Sequence, residues 1–204
     1  VLAVEEAASV RRASAEDVPA LGRALGRAFR DDPGFNHVLP AEGDRAERLE
    51  PFFATELRGL AMARWQAWTT GSAVGAAVWA PPDEWRVPVT QTIRETPTAV
   101  GTFGRRLPVA LWSRLRMERH HPRKPPHWYL AVMGVDPDWQ GSGLGGALMR
   151  PVLDQLDAGA MPAYLEASTP RSRALYERNG FEVTGEFNMP RGGPPIWLMW
   201  REPR

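Results

Sequence analysis

His127-Trp128-Tyr129-Leu130-Ala131-Val132-Met133-Gly134-Val135-Asp136-Pro137-Asp138-Trp139-Gln140-Gly141-Ser142-Gly143-Leu144-Gly145-Gly146 is the stretch on which the fold is decided. Its first half, to Val135, carries apolar residues on both faces, as a central buried strand requires. Asp136-Pro137-Asp138-Trp139 makes a short turn. Gln140-Gly141-Ser142-Gly143-Leu144-Gly145 then opens into a helix from Leu144. Glycines at a helix start let backbone N–H groups converge on an anion, and the helix dipole adds favourable potential there. The expectation is a loop that holds phosphates.

Gly141-Ser142-Gly143-Leu144-Gly145-Gly146 also satisfies G-x-G-x-x-G, the dinucleotide fingerprint. Three observations reject that reading. Residues 136–140 separate the first glycine from the strand, where the fingerprint places it at the strand end. The unit lies late in the chain rather than opening it. No series of parallel strands of the doubly wound kind follows. A Walker loop is absent, because no G-x-x-x-x-G-K-[ST] occurs. Taken alone, the loop would remain a Gly-rich turn that merely starts a helix.

Its surroundings say more. Val135-x-Pro137-x-x-Gln140-x-x-Gly143-x-Gly145 resembles motif A of the GNAT superfamily of N-acetyltransferases, and Leu175-Tyr176-Glu177-Arg178-Asn179-Gly180-Phe181 resembles that superfamily's later L-Y-x-x-x-G-F motif, in the same order and at the same separation. Further segments look like puromycin N-acetyltransferase and its relatives. They are His121-Pro122-Arg123-Lys124-Pro125-Pro126, Leu165-Glu166-Ala167-Ser168, Pro170-Arg171 and, near the start, Asp17-Val18-Pro19 with Ala28-Phe29. The likeness covers about residues 9–35 and 120–204 and is thin between them.

The resemblance implies an α+β fold: a mixed, mostly antiparallel central sheet with helices on both faces. It implies acetyl-CoA as the acyl donor and a primary amine of a small molecule, in this subgroup an aminonucleoside-type antibiotic, as acceptor. The pyrophosphate of the donor would rest on Gln140, Gly141, Ser142, Gly143, Leu144 and Gly145. Its pantetheine amides would pair along the strand edge at Met133, Gly134 and Val135, and Thr169 joins the same set. Ser142 departs from the pattern, since many relatives carry Lys or Arg there. Binding would then lean on backbone donors, or on Arg171 and Arg173. A protein N-terminus or lysine is the alternative acceptor, and a non-catalytic CoA-binding regulatory module is the alternative class.

Composition sets outer bounds. At 204 residues the chain fits one domain, or one domain with a long insertion. We expect a flexible stretch over 1–8 and a single domain over 9–204, with 83–126 as a variable helical insertion. Nine Trp and 43% hydrophobic residues supply a substantial core. A net charge of +1 makes no general case for a nucleic-acid partner. Cysteine is absent, which excludes a disulfide framework, thiolate metal sites and a Cys nucleophile. No run reaches membrane-spanning length and the first residues lack a signal pattern, so a cytoplasmic protein, monomeric or homodimeric, without membrane or metal, is expected.

Periodicity lays out the elements. A strand is expected over 9–12. A helix capped by Ser14 or Asp17 carries Val18, Leu21, Leu25, Ala28 and Phe29, and Asp31-Asp32-Pro33-Gly34 breaks it. A second helix spans roughly 44–62. Residues 65–69 and 73–80 read as a hairpin about Thr70-Gly71-Ser72. Two short helices are expected over 89–103 and 108–120, with Pro97 breaking the first. After the loop, a helix to about 157 is expected to kink at Pro151. A strand over 163–167 follows, then a helix opened by Thr169-Pro170 and closed by Asn179-Gly180. An antiparallel pair over 181–188 and 196–201 completes the chain. With 83–126 counted as one helical element, the order is β-α-α-β-β-α-β-α-β-α-β-β.

Direct attack of an amine on a thioester needs a sink for the ammonium proton and a proton for the departing thiolate. Tyr176 is the candidate acid, a phenol of pKa near ~10 suited to protonating a thiolate formed beside it. By itself it would be an amphipathic aromatic at a helix surface. Glu166 is the candidate base or anchor for the ammonium. A carboxylate amid an apolar strand is costly unless paired, and a salt bridge to an Arg is the plain alternative. Alternation puts Glu166 on one face with Tyr164 and Ser168. Phe29, Asp31, Asp32 and Phe35 lie at the first helix's end, two carboxylates beside aromatics that suit a cationic amine, and Phe29, Asp31 and Phe35 are candidate acceptor contacts. Asp32 reads rather as a turn and cap residue. Trp197 or Trp128 could wall an aromatic acceptor. The basic run from Arg114 to Lys124 reads as a solvated helix face, and His120-His121 lacks the companions of a metal site.

Overall fold

The computed structural model describes residues 9–39, 44–62 and 64–204; the expected flexible stretch over 1–8 lies outside them. Seven strands form one sheet: β1 Val10–Arg12, β2 Gln66–Thr70, β3 Gly75–Ala80, β4 Trp128–Val135, β5 Ala163–Ala167, β6 Glu182–Asn188 and β7 Pro195–Arg201. Their spatial order is β1-β2-β3-β4-β5-β7-β6. Only β4 and β5 run parallel, joined by the crossover that carries the glycine loop; every other neighbouring pair is antiparallel. The expected α+β fold with a mixed, mostly antiparallel sheet is the one observed.

Helices cover both faces. On one lie α1 Val18–Ala28, the short α2 Pro33–Val38, α3 Arg45–Glu56 with a widened π-type turn Leu57–Ala61, α4 Val89–Phe103 and α5 Leu107–His120. Leu21, Leu25, Leu49, Phe53 and Leu57 pack there. On the other lie α6 Leu144–Ala158 and α7 Pro170–Arg178, whose Leu148, Met149, Val152 and Tyr176 cover Trp79, Leu165 and Met199. Burying each large apolar side chain contributes about 1.5–3 kcal/mol, so both faces are firmly held. Gly134 permits the closest approach between layers: a Cβ there would stand 2.8 Å from Leu25 and 3.1 Å from Phe29.

The expected layout differs at two points. Asp31-Asp32-Pro33-Gly34 ends α1 but also starts α2, since Asp32 accepts from the Phe35 N–H at 3.0 Å and Pro33 takes the first helical position. Pro97 does not break α4, which continues to Phe103. It sits on the solvent side in line with Ile93, 67% exposed, whose freed carbonyl water can satisfy. Pro151 lies inside α6, which runs to Ala158, close to the expected end.

The feature that positions the site is a bulge. Val78 pairs with Val132 and Trp79 with Leu130, leaving Ala131 as an extra residue in β4. A bulge bends its strand and increases the local twist. The parallel pairing of β4 with β5 covers Trp128, Tyr129 and Leu130 and stops there. Beyond the bulge β4 runs on to Val135 with its β5-side edge unpaired. Among the described residues no helix is long and apolar enough to cross a membrane.

Candidate active site

The glycine loop follows the free end of β4. Gly141 and Gly143 adopt φ of +88° and +85°, and a Cβ at either would meet nothing within 4 Å. The inner side of the turn is therefore open, and the positive φ values favour glycine. Gly143 caps α6, whose first-turn amides at Leu144, Gly145 and Gly146 have no partner within the helix. Those donors, the helix dipole and the open inner side fit a pyrophosphate. Gln140 braces this arrangement rather than projecting from it: its side-chain amide donates to the Val135 carbonyl at 2.9 Å. The Ser142 hydroxyl is bound to the Trp139 carbonyl. Thr169 caps α7, accepting from the Ser172 N–H at 3.0 Å. Met133, Gly134 and Val135 lie on the unpaired edge of β4, where extended amides can add as a strand does.

A cavity of about 1170 Å³ runs from this loop through the gap between β4 and β5. Gly141, Gly143, Leu144, Gly145, Thr169, Arg171, Tyr176 and Glu166 all line it. Arg171 carries no ion pair among the described residues, whereas Arg173 binds Glu177 at 2.7 Å.

Tyr176 is buried, and its hydroxyl has no hydrogen-bond partner among the described residues. Burial, reinforced by the Asp32 carboxylate, raises its phenol above the ordinary value, so it remains a donor at neutral pH. Asp32 also accepts from the Ser168 hydroxyl, which ties the head of α2 to the end of β5. Asp32 thus caps, as its sequence suggests, and in addition its charge acts on Tyr176.

Glu166 is 6% exposed. Burial pushes it up to about 7, against the hydroxyls of Tyr129 and Tyr164, which favour the charged form. No arginine pairs with it among the described residues. A carboxylate that changes protonation state near neutrality suits proton acceptance from an amine.

Aromatic rings wall another part of the cavity. Phe29 lies 5.4 Å from Phe35 and 5.0 Å from Phe53, and Phe52 lies 5.4 Å from Phe103. Asp31, exposed, sits at the rim. Trp197 is placed elsewhere. Register pairs it with Ala167 while Glu166 pairs with Leu198, so Trp197 shares the α7 face, where Arg173 lies 5.7 Å over its ring. Ile196, one residue earlier, lines the cavity instead. Trp128 packs in the α6 and α7 cluster.

Several residues reach the site without having been singled out for it. Glu56 and Glu95 come together from α3 and α4; burial and the Glu95 charge raise Glu56 above the ordinary carboxylate range, and Arg114 opposes this. His121, read as part of a solvated run, is 5% exposed and stacks on Trp85 at 3.8 Å. Its Nδ1 lies 3.9 Å from Glu166 Oε1. Tyr129 is in register with Tyr164 and so shares the Glu166 face. Sequence alone does not supply that register, so Tyr129 carried no signal of its own. Nothing in the local sequence marks Glu56, Glu95 or His121.

The Acetyltransferase (GNAT) family model matches residues 28–181. An uncharacterised N-acetyltransferase of Schizosaccharomyces pombe is 25% identical over 214 residues, covering 96% of this chain and 83% of that protein. The mycothiol acetyltransferase of Beutenbergia cavernae is 49% identical over 65 residues, which span 29% of this chain and 22% of that enzyme. A crystal structure from Corynebacterium glutamicum, described as a histone acetyltransferase and related acetyltransferase, superposes with a TM-score of 0.74 at 28% identity, covering 96% of each chain. With the glycine loop at the head of α6, the split sheet and a family match across most of its length, the chain belongs to the GNAT acetyltransferase family and is an acetyl-CoA-dependent acyltransferase.

Proposed function

We propose that this enzyme transfers an acetyl group to the primary amine of a small molecule by direct attack on acetyl-CoA. One observation carries the reading: the glycine loop, Tyr176, Glu166 and the aromatic walls line a single cavity of about 1170 Å³. Helices α4 and α5 wall its acceptor side, which suits a compact acceptor more than a long peptide. Phe29, Phe35, Phe52 and Phe103 would receive an apolar body, and Asp31, Glu56 and Glu95 a positive charge. The likeness to puromycin-acetylating enzymes makes an aminonucleoside-type antibiotic the first acceptor to try. In this reading Glu166 accepts the amine proton and Tyr176 protonates the leaving thiolate.

The test is CoA release with a panel of puromycin, aliphatic diamines, and peptides with a free N-terminus or a lysine. At least one small amine is expected to exceed the peptides in kcat/KM by about tenfold or more. Turnover confined to peptides would replace the small-molecule reading with protein acetylation. Acetyl-CoA binding without turnover of any amine would favour a regulatory module.

The phosphate end has its own test. Arg171→Ala is expected to weaken acetyl-CoA binding about tenfold, the usual effect of losing one charge-assisted hydrogen bond. Arg173→Ala, which removes a surface pair with Glu177 and a contact over Trp197, should leave it within about twofold. Titration calorimetry reads both. Equal losses would disconnect Arg171 from the phosphates.

A further inference from the structure

His121 and His127 form a chain whose proton positions can be deduced. His127 Nδ1 lies 2.8 Å from the Pro125 carbonyl. A carbonyl only accepts, so His127 carries its proton on Nδ1 and presents a bare Nε2. That Nε2 lies 3.1 Å from Nε2 of His121. His121 must therefore be the donor in this contact, with its proton on Nε2 and a bare Nδ1. The bare Nδ1 faces Glu166 Oε1 at 3.9 Å. No described residue donates to it.

The ring is held in this pose from several sides. Trp85 stacks on it, while Tyr129 and Tyr164 meet it edge-on at 4.7 and 4.8 Å. The charged and titratable groups around it are Arg86 beyond β3, Tyr129 on β4, Tyr164 and Glu166 on β5, and His127. Burial, with His127 and Arg86, pushes His121 down to about 3, so its ring is neutral where the enzyme would work. Both His121 and Glu166 line the cavity. When Glu166 is ionised, its Oε1 and His121 Nδ1 are two acceptors facing one another across the cavity; the Tyr129 and Tyr164 hydroxyls stand by the carboxylate, and no described group donates to His121 Nδ1.

Building on the acetyl-transfer reading, we infer that Glu166 Oε1 and His121 Nδ1 form a two-acceptor seat for a nitrogen bearing two N–H bonds, and that His121 thereby selects primary amines. The nitrogen donates one N–H to each acceptor and keeps its lone pair free for the thioester carbonyl. As the C–N bond forms and the C–S bond breaks, the proton facing Glu166 passes to its carboxylate. Tyr176 gives its hydroxyl proton to the departing sulfur and recovers one from solvent, to which Glu166 releases its own. The N–H facing His121 stays as the N–H of the product amide. Amine plus thioester thus yields amide plus thiol with all protons accounted for. A secondary amine or a hydroxyl has a single hydrogen and leaves one buried acceptor unpaired, a loss of roughly ten- to a hundredfold in kcat/KM.

Two measurements test the seat. Long-range ¹H–¹⁵N correlation spectra of the ligand-free ¹⁵N-labelled protein, with His121 assigned by comparison with His121→Asn, should show a neutral Nε2–H ring from pH 6 to 8. An Nδ1–H tautomer or an imidazolium overturns the seat. The second is the ratio of kcat/KM for a primary amine that the enzyme acetylates to that for its N-methyl derivative. His121→Phe keeps a flat ring against Trp85 and should erase most of the wild-type preference. His121→Asn, which restores an acceptor near the Nδ1 position, should recover much of it. A preference that survives His121→Phe intact overturns the inference. The spectrum needs no turnover, so failure of the seat is distinguishable from failure of the acetyl-transfer reading.

Discussion

Replacing Tyr176 with phenylalanine is expected to lower kcat about a hundredfold while leaving acetyl-CoA affinity within about twofold, the lower end of what a positioned acid contributes. The ring would keep its place, since it packs 6.1 Å from Phe181 and is almost wholly enclosed. Only the hydroxyl is lost, and it has no partner among the described residues to leave unpaired. Thermal stability should therefore change little, which separates a chemical loss from a structural one. The reason to expect so large an effect is the protonation state. Burial and the Asp32 carboxylate hold the phenol above its ordinary pKa, so it is a full-time donor across the neutral and alkaline range. A thioester with a more acidic thiol needs this proton less, so the deficit should shrink with such a donor. Unchanged turnover in Tyr176→Phe would remove the residue from the mechanism.

Glu166→Gln is expected to cost a similar factor, but unevenly with pH. The wild-type rate should rise as Glu166 loses its proton near pH 7. Without the carboxylate, the rate rises only as the amine deprotonates by itself, so the loss is greatest at low pH and fades on the alkaline side. A pH–rate profile of unchanged shape would count against Glu166 as base. Stability supplies an independent reading with a definite sign. Burial raises Glu166 from its ordinary 4.5 to about 7, so the folded state holds a proton that the unfolded chain gives up. This contribution is fully present below about pH 4.5 and is lost as pH rises through 7. The difference approaches about 3 kcal/mol. Glutamine carries no such burden, so Glu166→Gln should be the more stable protein above pH 7 and lose its advantage in acid. Chemical denaturation at pH 5 and pH 8 measures it. Glu56 titrates upward for the same reason, so the comparison must be variant against wild type rather than either profile alone.

Legibility in the sequence followed how local the cause was. The conformation of the glycine loop was readable because its physics lies within a few residues: an apolar strand, a turn, glycines able to take positive φ, and a helix start. The α7 helix was readable from Thr169-Pro170 at its head and Asn179-Gly180 at its end, and Tyr176 inherited its place from it. Glu166 was readable from alternation along β5, which contains no bulge. The same reasoning, applied to β7, would have moved Trp197 off the acceptor wall once its register with β5 was known. Sequence alone does not supply that register. Pro97 misled because a proline's cost depends on whether water reaches the carbonyl it frees.

The sequence by itself determined the element order, the glycine loop at the head of α6 and the positions of Tyr176 and Glu166 on their elements, because each follows from backbone preferences and spacing along the chain. Only the tertiary structure decided that one cavity brings them together. The extra residue at Ala131 turns β4 away from β5 and opens the cleft, and residues distant in the chain, Glu56, Glu95, His121 and Tyr129, are brought to its wall by packing. Strand parity past a bulge, and the depth to which a histidine is buried, are set by contacts between elements and leave no periodic mark on the chain.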